Sequence, residues 1–282
     1  MSRHINTLSQ LTDSYDAILC DVWGVLHNGI DPFPLAVQAL IDARATATSV
    51  VMITNSPRPA EGVINQFGII GVDRSAWDDI VTSGDVTRRL ISEGPKKLFY
   101  IGPDRDRELA DGLSVELVAE EDAEGVLCTG PFDDEIETPN DYAEMLARFK
   151  ERNLPFLCAN PDQVVERGDR LIYCAGSIAT AYEKIGGETR IAGKPHRPIY
   201  EEALRRVELL RGTVDKARVL AIGDGIATDI SGALNAEIDV LFIARGIHAN
   251  QYYEDKRINE AKLNQFFARE NTVPTLWSDW LK

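Results

Sequence analysis

Five side chains could do chemistry together if the fold gathered them: Asp21, Thr54, Lys194, Asp224 and Asp229. Asp21 closes the apolar run Ala17-Ile18-Leu19-Cys20. Thr54-Asn55 closes Ser49 to Thr54 (SVVMIT), and Asp224 closes Arg218 to Gly223 (RVLAIG), with Asp229 five residues on. Such short runs read as buried strands. Open parallel sheets bind ligands beyond the carboxyl ends of their strands. Two carboxylates on neighbouring strand ends can hold Mg²⁺, which takes oxygen ligands and keeps several waters. Lys194 sits in a Gly193-Lys194-Pro195 turn before a helix. Its ammonium, the Thr54 hydroxyl and turn amides suit the oxygens of a phosphoryl group. With that charge neutralised, Asp21 could attack phosphorus in line and form an aspartyl-phosphate.

Each piece alone has a blander reading. A strand-end Asp is commonly a turn or cap residue. The stretch from Gly223 to Asp229 could be a loop and a helix N-cap, and a lone lysine is ordinarily solvated. The specific signal is the order: a strand Asp near the start, a strand Thr some thirty residues later, then the Lys, then a strand Gly-Asp with a second Asp.

The elements that must position these groups alternate short apolar runs with amphipathic stretches, as in a parallel sheet with helices on its faces. Pro34 to Ala47, Pro59 to Phe67 and Gly84 to Ile91 read as helices. In the middle, Lys97 to Ile101, Val126 to Cys128 and Pro155 to Ala159 read as strands, with an amphipathic helix from Tyr142 to Arg152. Glu120 to Glu124 and Asp133 to Asn140 read as solvated loops. A helix from about Pro198 to Leu210, one from about Asp229 and a strand from Val240 to Ala244 complete the pattern. Trp277 and Trp280 stand one helical turn apart in a tail expected to dock on the core.

Composition bounds the function. The 282 residues suffice for a sizeable core, and 44% hydrophobic with 27% charged residues excludes a mostly disordered chain. A formal charge of −15 disfavours a nucleic-acid partner, because such a surface repels a phosphate backbone. No apolar h-region opens the chain and no run approaches a membrane span, so a cytoplasmic protein is expected. Cys20, Cys128, Cys158 and Cys174 lie in or beside strand-like runs without ligand spacing, and read as reduced, buried thiols.

The ordered set resembles the haloacid dehalogenase (HAD) superfamily. The matching motifs are Asp21-Val22-Trp23-Gly24-Val25, Thr54-Asn55, Gly193-Lys194-Pro195 and Gly223 to Asp229. The long gap between Thr54 and Lys194, with Asn160-Pro161-Asp162 and Gly176-Ser177 inside it, is similar to the class IIA branch of p-nitrophenylphosphatase-like and sugar-phosphatase-like proteins. The resemblance implies a Rossmann-like, doubly wound parallel sheet core from residues 1–96 and 189–282, with an inserted α/β cap domain at 97–188. It implies Asp21 as nucleophile and Mg²⁺ ligand, the Trp23 carbonyl and Asp224 as further ligands, and Asp229 orienting the metal shell. Thr54 and Lys194 would bind phosphoryl oxygens, with Asn55 contributing from the turn and Asp162 a candidate for substrate contact. The substrate would be a small phosphorylated metabolite, and a homodimer paired through caps is a family expectation.

One position departs from the family's phosphatases, which usually carry a second Asp two residues after the nucleophile as general acid and base. Here that residue is Trp23. Indole is a donor only and does not exchange protons near neutral pH, and a missing acid–base group costs roughly 10²–10⁴-fold. Three readings follow. The substrate has a good leaving group, such as an acyl phosphate, or another group (His27, His196 or His248) replaces the acid. The chemistry is carbon–halogen or phosphonate hydrolysis. Or the protein binds Mg²⁺ and a metabolite without turnover, as a sensor or partner-binding module.

Overall fold

A computed structural model describes residues 2–167, 170–254 and 257–282. The chain forms two compact units. Met1–Thr54, Ile64–Val81 and Tyr200–Lys282 make the first, and Asn55–Val63 with Thr82–Ile199 the second.

The first unit is built on a seven-stranded sheet. Its spatial order is Arg3–His4, Leu276–Ser278, Asp239–Ile243, Val219–Gly223, Ala17–Cys20, Ser49–Thr54 and Asp79–Thr82. The pairs from Arg3–His4 across to Ser49–Thr54 are parallel. From Ala17–Cys20 the chain winds outward through Ser49–Thr54. It later returns to Val219–Gly223 on the opposite side and winds the other way. This is the doubly wound arrangement expected, with its switch point between Ala17–Cys20 and Val219–Gly223. Every residue of those two strands is buried, which is why they read as unbroken apolar runs rather than alternating ones. The helix Pro34–Ala45 begins with proline at its first turn and buries Ala36, Leu40 and Ala43 along one stripe.

The tail differs from its expected helical spacing. Leu276–Ser278 is a strand, paired with Asp239–Ile243 on one side and Arg3–His4 on the other. Trp277 is buried, its ring 4.3 Å from that of His4, while Trp280 is 37% exposed. Ladder hydrogen bonds to a strand that would otherwise be an open edge outweigh a three-residue spacing too short to specify a helix.

The second unit carries a five-stranded parallel sheet in the order Thr189–Ile191, Phe156–Cys158, Gly125–Cys128, Lys97–Ile101, Glu116–Leu117. Its strands alternate between two apolar clusters. Val126, Cys128, Phe156 and Cys158 pack with Phe149 and Tyr182, from the helices Ala143–Glu151 and Ala175–Lys184. Leu98, Leu127 and Leu157 pack with Ile91 of the helix Ser83–Glu93. The period of two thus supplies a core on each face. An antiparallel pair, Val164–Arg167 with Arg170–Tyr173, stands apart from this sheet. All four cysteines are buried and none is in a disulfide. Among the described residues, no helix is long and apolar enough to cross a membrane.

Candidate active site

Asp21 is placed by the ladder itself. Cys20 lies opposite Ile222, and the Asp21 N–H donates to the Ile222 carbonyl at 2.8 Å, one residue past the strand's end. Asp224 follows Gly223 on the adjacent strand. Its carboxylate fits between two glycines. A Cβ on Gly24 would stand 2.2 Å from Asp224 Oδ2 and one on Gly246 would stand 2.0 Å from it. Gly24 also has φ +76°, a left-handed conformation that glycine adopts without penalty. The Ile247 N–H donates to Asp224 Oδ2 at 2.8 Å and fixes the carboxylate's orientation.

Asp229 lies in a π-helical turn, Ile226–Ile230, in place of the regular helix start expected there. Asp229 Oδ2 accepts the Gly225 N–H at 3.1 Å and the Thr228 hydroxyl at 3.3 Å, while the Tyr200 hydroxyl donates to the Asp229 carbonyl at 3.2 Å. The wider turn is where a side chain near the start of a helix can reach back to the preceding loop. Asp21, Asp224 and Asp229 each offer one oxygen, and these oxygens lie within 4.8 Å of one another. The three residues are 6%, 6% and 4% exposed. Three carboxylates so close and so far from water repel one another unless a cation or protons intervene. An all-oxygen donor set suits a hard divalent ion such as Mg²⁺ and not a thiolate- or imidazole-seeking metal. Thr54, 3% exposed, ends the next strand over, in which Met52 is opposite Cys20.

A second group of predicted residues comes together in the second unit. Thr189–Ile191 and Phe156–Cys158 are adjacent parallel strands. Their carboxyl ends lead to Gly193-Lys194 and to the Asn160-Pro161-Asp162 turn. The Asn55 side chain joins the two: its Oδ1 accepts the Lys194 N–H at 2.6 Å, and its Nδ2 donates to the Lys194 carbonyl at 3.2 Å and to Asp162 Oδ1 at 2.8 Å. Asn55 and Lys194 are 5% and 2% exposed. The Asp162 N–H donates to Asn160 Oδ1 at 3.0 Å, closing an Asx turn. Gly193 permits this close approach, since a Cβ there would stand 2.5 Å from Asn55 Oδ1.

The Trp23 indole packs into its own loop. A Cβ on Gly29 would meet its Cη2 at 2.4 Å, and its ring meets His27 edge-on with centroids 5.2 Å apart. His27 is fully buried. Its Nδ1 accepts the Gly29 N–H at 2.9 Å, so that nitrogen carries no proton, and burial pushes its pKa down to about 4. His248 Nε2 accepts the Ile226 N–H at 3.3 Å. Burial lowers the pKa of His248 and of His196 below the ordinary imidazole value. Burial thus disfavours the protonated form of all three imidazoles, the form a replacement acid would need. Sequence reasoning missed Gly246 and the Ile247 amide, which carry no chemical signature. Asn160, singled out within Asn160-Pro161-Asp162, instead closes the turn that carries Asp162.

A family model described as haloacid dehalogenase-like hydrolase matches residues 18–116, and one described as HAD-hydrolase-like matches residues 191–265. A haloacid dehalogenase-like hydrolase from Brucella suis, known by crystal structure, is 53% identical; the match covers 99% of this chain and 100% of that one, with a TM-score of 0.88. An acid sugar phosphatase from Staphylococcus saprophyticus is 24% identical over 255 residues, covering 87% of this chain and 92% of that protein. A longer Caenorhabditis elegans relative is 24% identical over 259 residues, which are 80% of this chain; the chain spans 48% of that protein's length.

Proposed function

Because the chain belongs to the haloacid dehalogenase-like hydrolase family, we propose that it is a Mg²⁺-dependent phosphatase of the class IIA branch, acting on a small phosphorylated metabolite. The observation that carries this reading is the triad of buried carboxylates, Asp21, Asp224 and Asp229, at the switch point of a doubly wound sheet. Asp21, Asp224 and the Trp23 carbonyl would hold the ion, with Asp229 steadying its shell. Bound Mg²⁺ would neutralise phosphoryl charge as negative charge builds on the leaving oxygen. Thr54 and Lys194 bind the phosphoryl oxygens, by their place in the motif order.

The Asp21 carboxylate attacks phosphorus, the bond to the leaving oxygen breaks, and an aspartyl-phosphate forms. Water then attacks that phosphorus, releasing phosphate and restoring the carboxylate. Similarity to an acid sugar phosphatase supports a sugar phosphate as substrate. The indole of Trp23, and histidines whose burial disfavours the protonated ring, favour substrates whose leaving group departs without a proton, acyl phosphates among them.

Those same two features favour one competing reading, a protein that binds Mg²⁺ and a phosphorylated metabolite without turning it over. One screen separates them. Purified protein is assayed on acyl phosphates, sugar phosphates and p-nitrophenyl phosphate, with Mg²⁺ or with EDTA, beside Asp21→Asn. Turnover that needs Mg²⁺ and Asp21 supports the phosphatase. No rate above the Asp21→Asn control on any substrate leaves the binding protein.

A further inference from the structure

Asn55 and Asp162 were both expected to touch substrate. The geometry points to a different task, and we propose that they are positioning residues which fix the backbone of Lys194, with Asp162 acting through Asn55. The inference rests on the reading of Lys194 as a phosphoryl ligand.

The Asn55 side chain has two N–H donors, and both are spent. One goes to the Lys194 carbonyl and the other to Asp162 Oδ1, while its carbonyl oxygen receives the Lys194 N–H. Both polar groups of the Lys194 backbone are thus read by one amide, buried and shielded from competing water. A primary amide could adopt the flipped orientation, exchanging oxygen and nitrogen. Asp162 forbids it, because its carboxylate would then face an amide oxygen. The Lys194 N–H independently demands the oxygen where it is. Asp162 therefore sets the orientation of Asn55, and Asn55 sets the position of Lys194.

The turn that carries Asp162 is itself held. Asn160 Oδ1 accepts the Asp162 N–H, and the Cys158 thiol donates to the Asn160 carbonyl at 3.2 Å. At Gly176, a Cβ would stand 2.0 Å from the Pro161 carbonyl oxygen, so the helix Ala175–Lys184 presses its first turn against this turn. A rigid seat for Asp162 is what an orienting residue needs.

The test uses the full chain with Asp162→Ala, Asp162→Asn and Asn55→Ala, each checked for an unchanged far-UV spectrum. Two quantities are read: steady-state kinetics with Mg²⁺ on p-nitrophenyl phosphate and acetyl phosphate, and hydrogen exchange at the Lys194 amide. Losing a charge-assisted hydrogen bond is worth about tenfold or more. Asp162→Ala is expected to lower kcat by about tenfold on both substrates alike and to speed Lys194 exchange by a similar factor. Asn55→Ala should do both more strongly. Asp162→Asn keeps an acceptor oxygen and should recover most of each loss.

A rise in KM confined to one substrate, with Lys194 exchange unmoved, makes Asp162 a substrate contact and overturns the proposal. Equal losses in Asp162→Asn and Asp162→Ala overturn it too, since they would show that charge and not orientation matters. If the wild type turns over neither substrate, the phosphatase reading fails by itself. Unchanged Lys194 exchange in Asp162→Ala would then still refute the tie, and faster exchange would uphold it as a positional one.

Discussion

Trp23 stands two residues after Asp21, and its side chain is committed to its own loop, edge-on to His27 and over Gly29. If the lack of a proton donor limits the rate, Trp23→Asp should raise turnover of alkyl phosphates at least tenfold, a fraction of the 10²–10⁴-fold an acid–base group can supply. Acyl phosphates, which need no such proton, should gain little. The ratio of the two rates checks this, and an unchanged ratio would mean that the indole has another task. The variant should also lose about 2 kcal/mol of stability by emptying the space over Gly29. His27 makes a second prediction at this scale. Its pKa falls from 6.5 to about 4 on folding, because burial disfavours the charged ring. Between those values the unfolded chain binds the extra proton, so stability falls as pH falls through the window and is unaffected above it. His27→Asn can retain an acceptor for the Gly29 N–H without titrating. In urea unfolding, the wild type should lose about 2 kcal/mol more than His27→Asn between pH 7.5 and pH 5. Carboxylates titrate in both proteins, so parallel curves would show that His27 is protonated in the native state.

At the scale of elements, the site depends on where loops come close to strand ends. The Gly246 backbone lies so near Asp224 that a Cβ would meet its Oδ2 at 2.0 Å and its own Cβ at 2.2 Å. Gly246→Ala must move either the loop or the carboxylate, and the neighbouring Ile247 N–H bond ties the two together. Calorimetric titration should show Mg²⁺ affinity reduced at least tenfold; an unaltered affinity would mean that the loop yields freely. This dependence was not legible in the sequence, where Gly246 sits among Ala244, Arg245 and Ile247 without a motif. What was legible obeyed a local rule. Ser49–Thr54 and Lys97–Ile101 emerge with the boundaries read from their apolar runs, because burial demands those runs wherever the strands go. The order of Asp21, Thr54 and Asp224 was legible too, since strand ends are visible in a linear pattern. Thr189–Ile191 and Leu276–Ser278 were not, because three-residue strands owe their conformation to the neighbours they pair with. For the same reason Asn55 and Asp162, 107 positions apart, carried no sign that one would hold the other.

The whole molecule carries a formal charge of −15, so divalent cations will gather on it whether or not it has a site. Specific binding must be separated from that general attraction by where it acts. Asp21, Asp224 and Asp229 all belong to the unit formed by Met1–Thr54, Ile64–Val81 and Tyr200–Lys282. A cation held by all three would offset the repulsion among them and so favour the folded unit. An ion that binds only the native state adds RT ln(1 + [L]/Kd), about 2.7 kcal/mol at a hundredfold excess over Kd. Mg²⁺ at fixed ionic strength should therefore slow amide exchange in Ala17–Cys20 and Val219–Gly223 far more than in Gly125–Cys128 and Phe156–Cys158 of the other sheet. Asp224→Asn removes one negative charge in fifteen, which barely alters diffuse attraction, but it takes a ligand from the cluster. The selective protection should vanish in that variant. Equal protection of both sheets, or protection that survives Asp224→Asn, would assign the effect to the surface and leave the three buried acids without an ion.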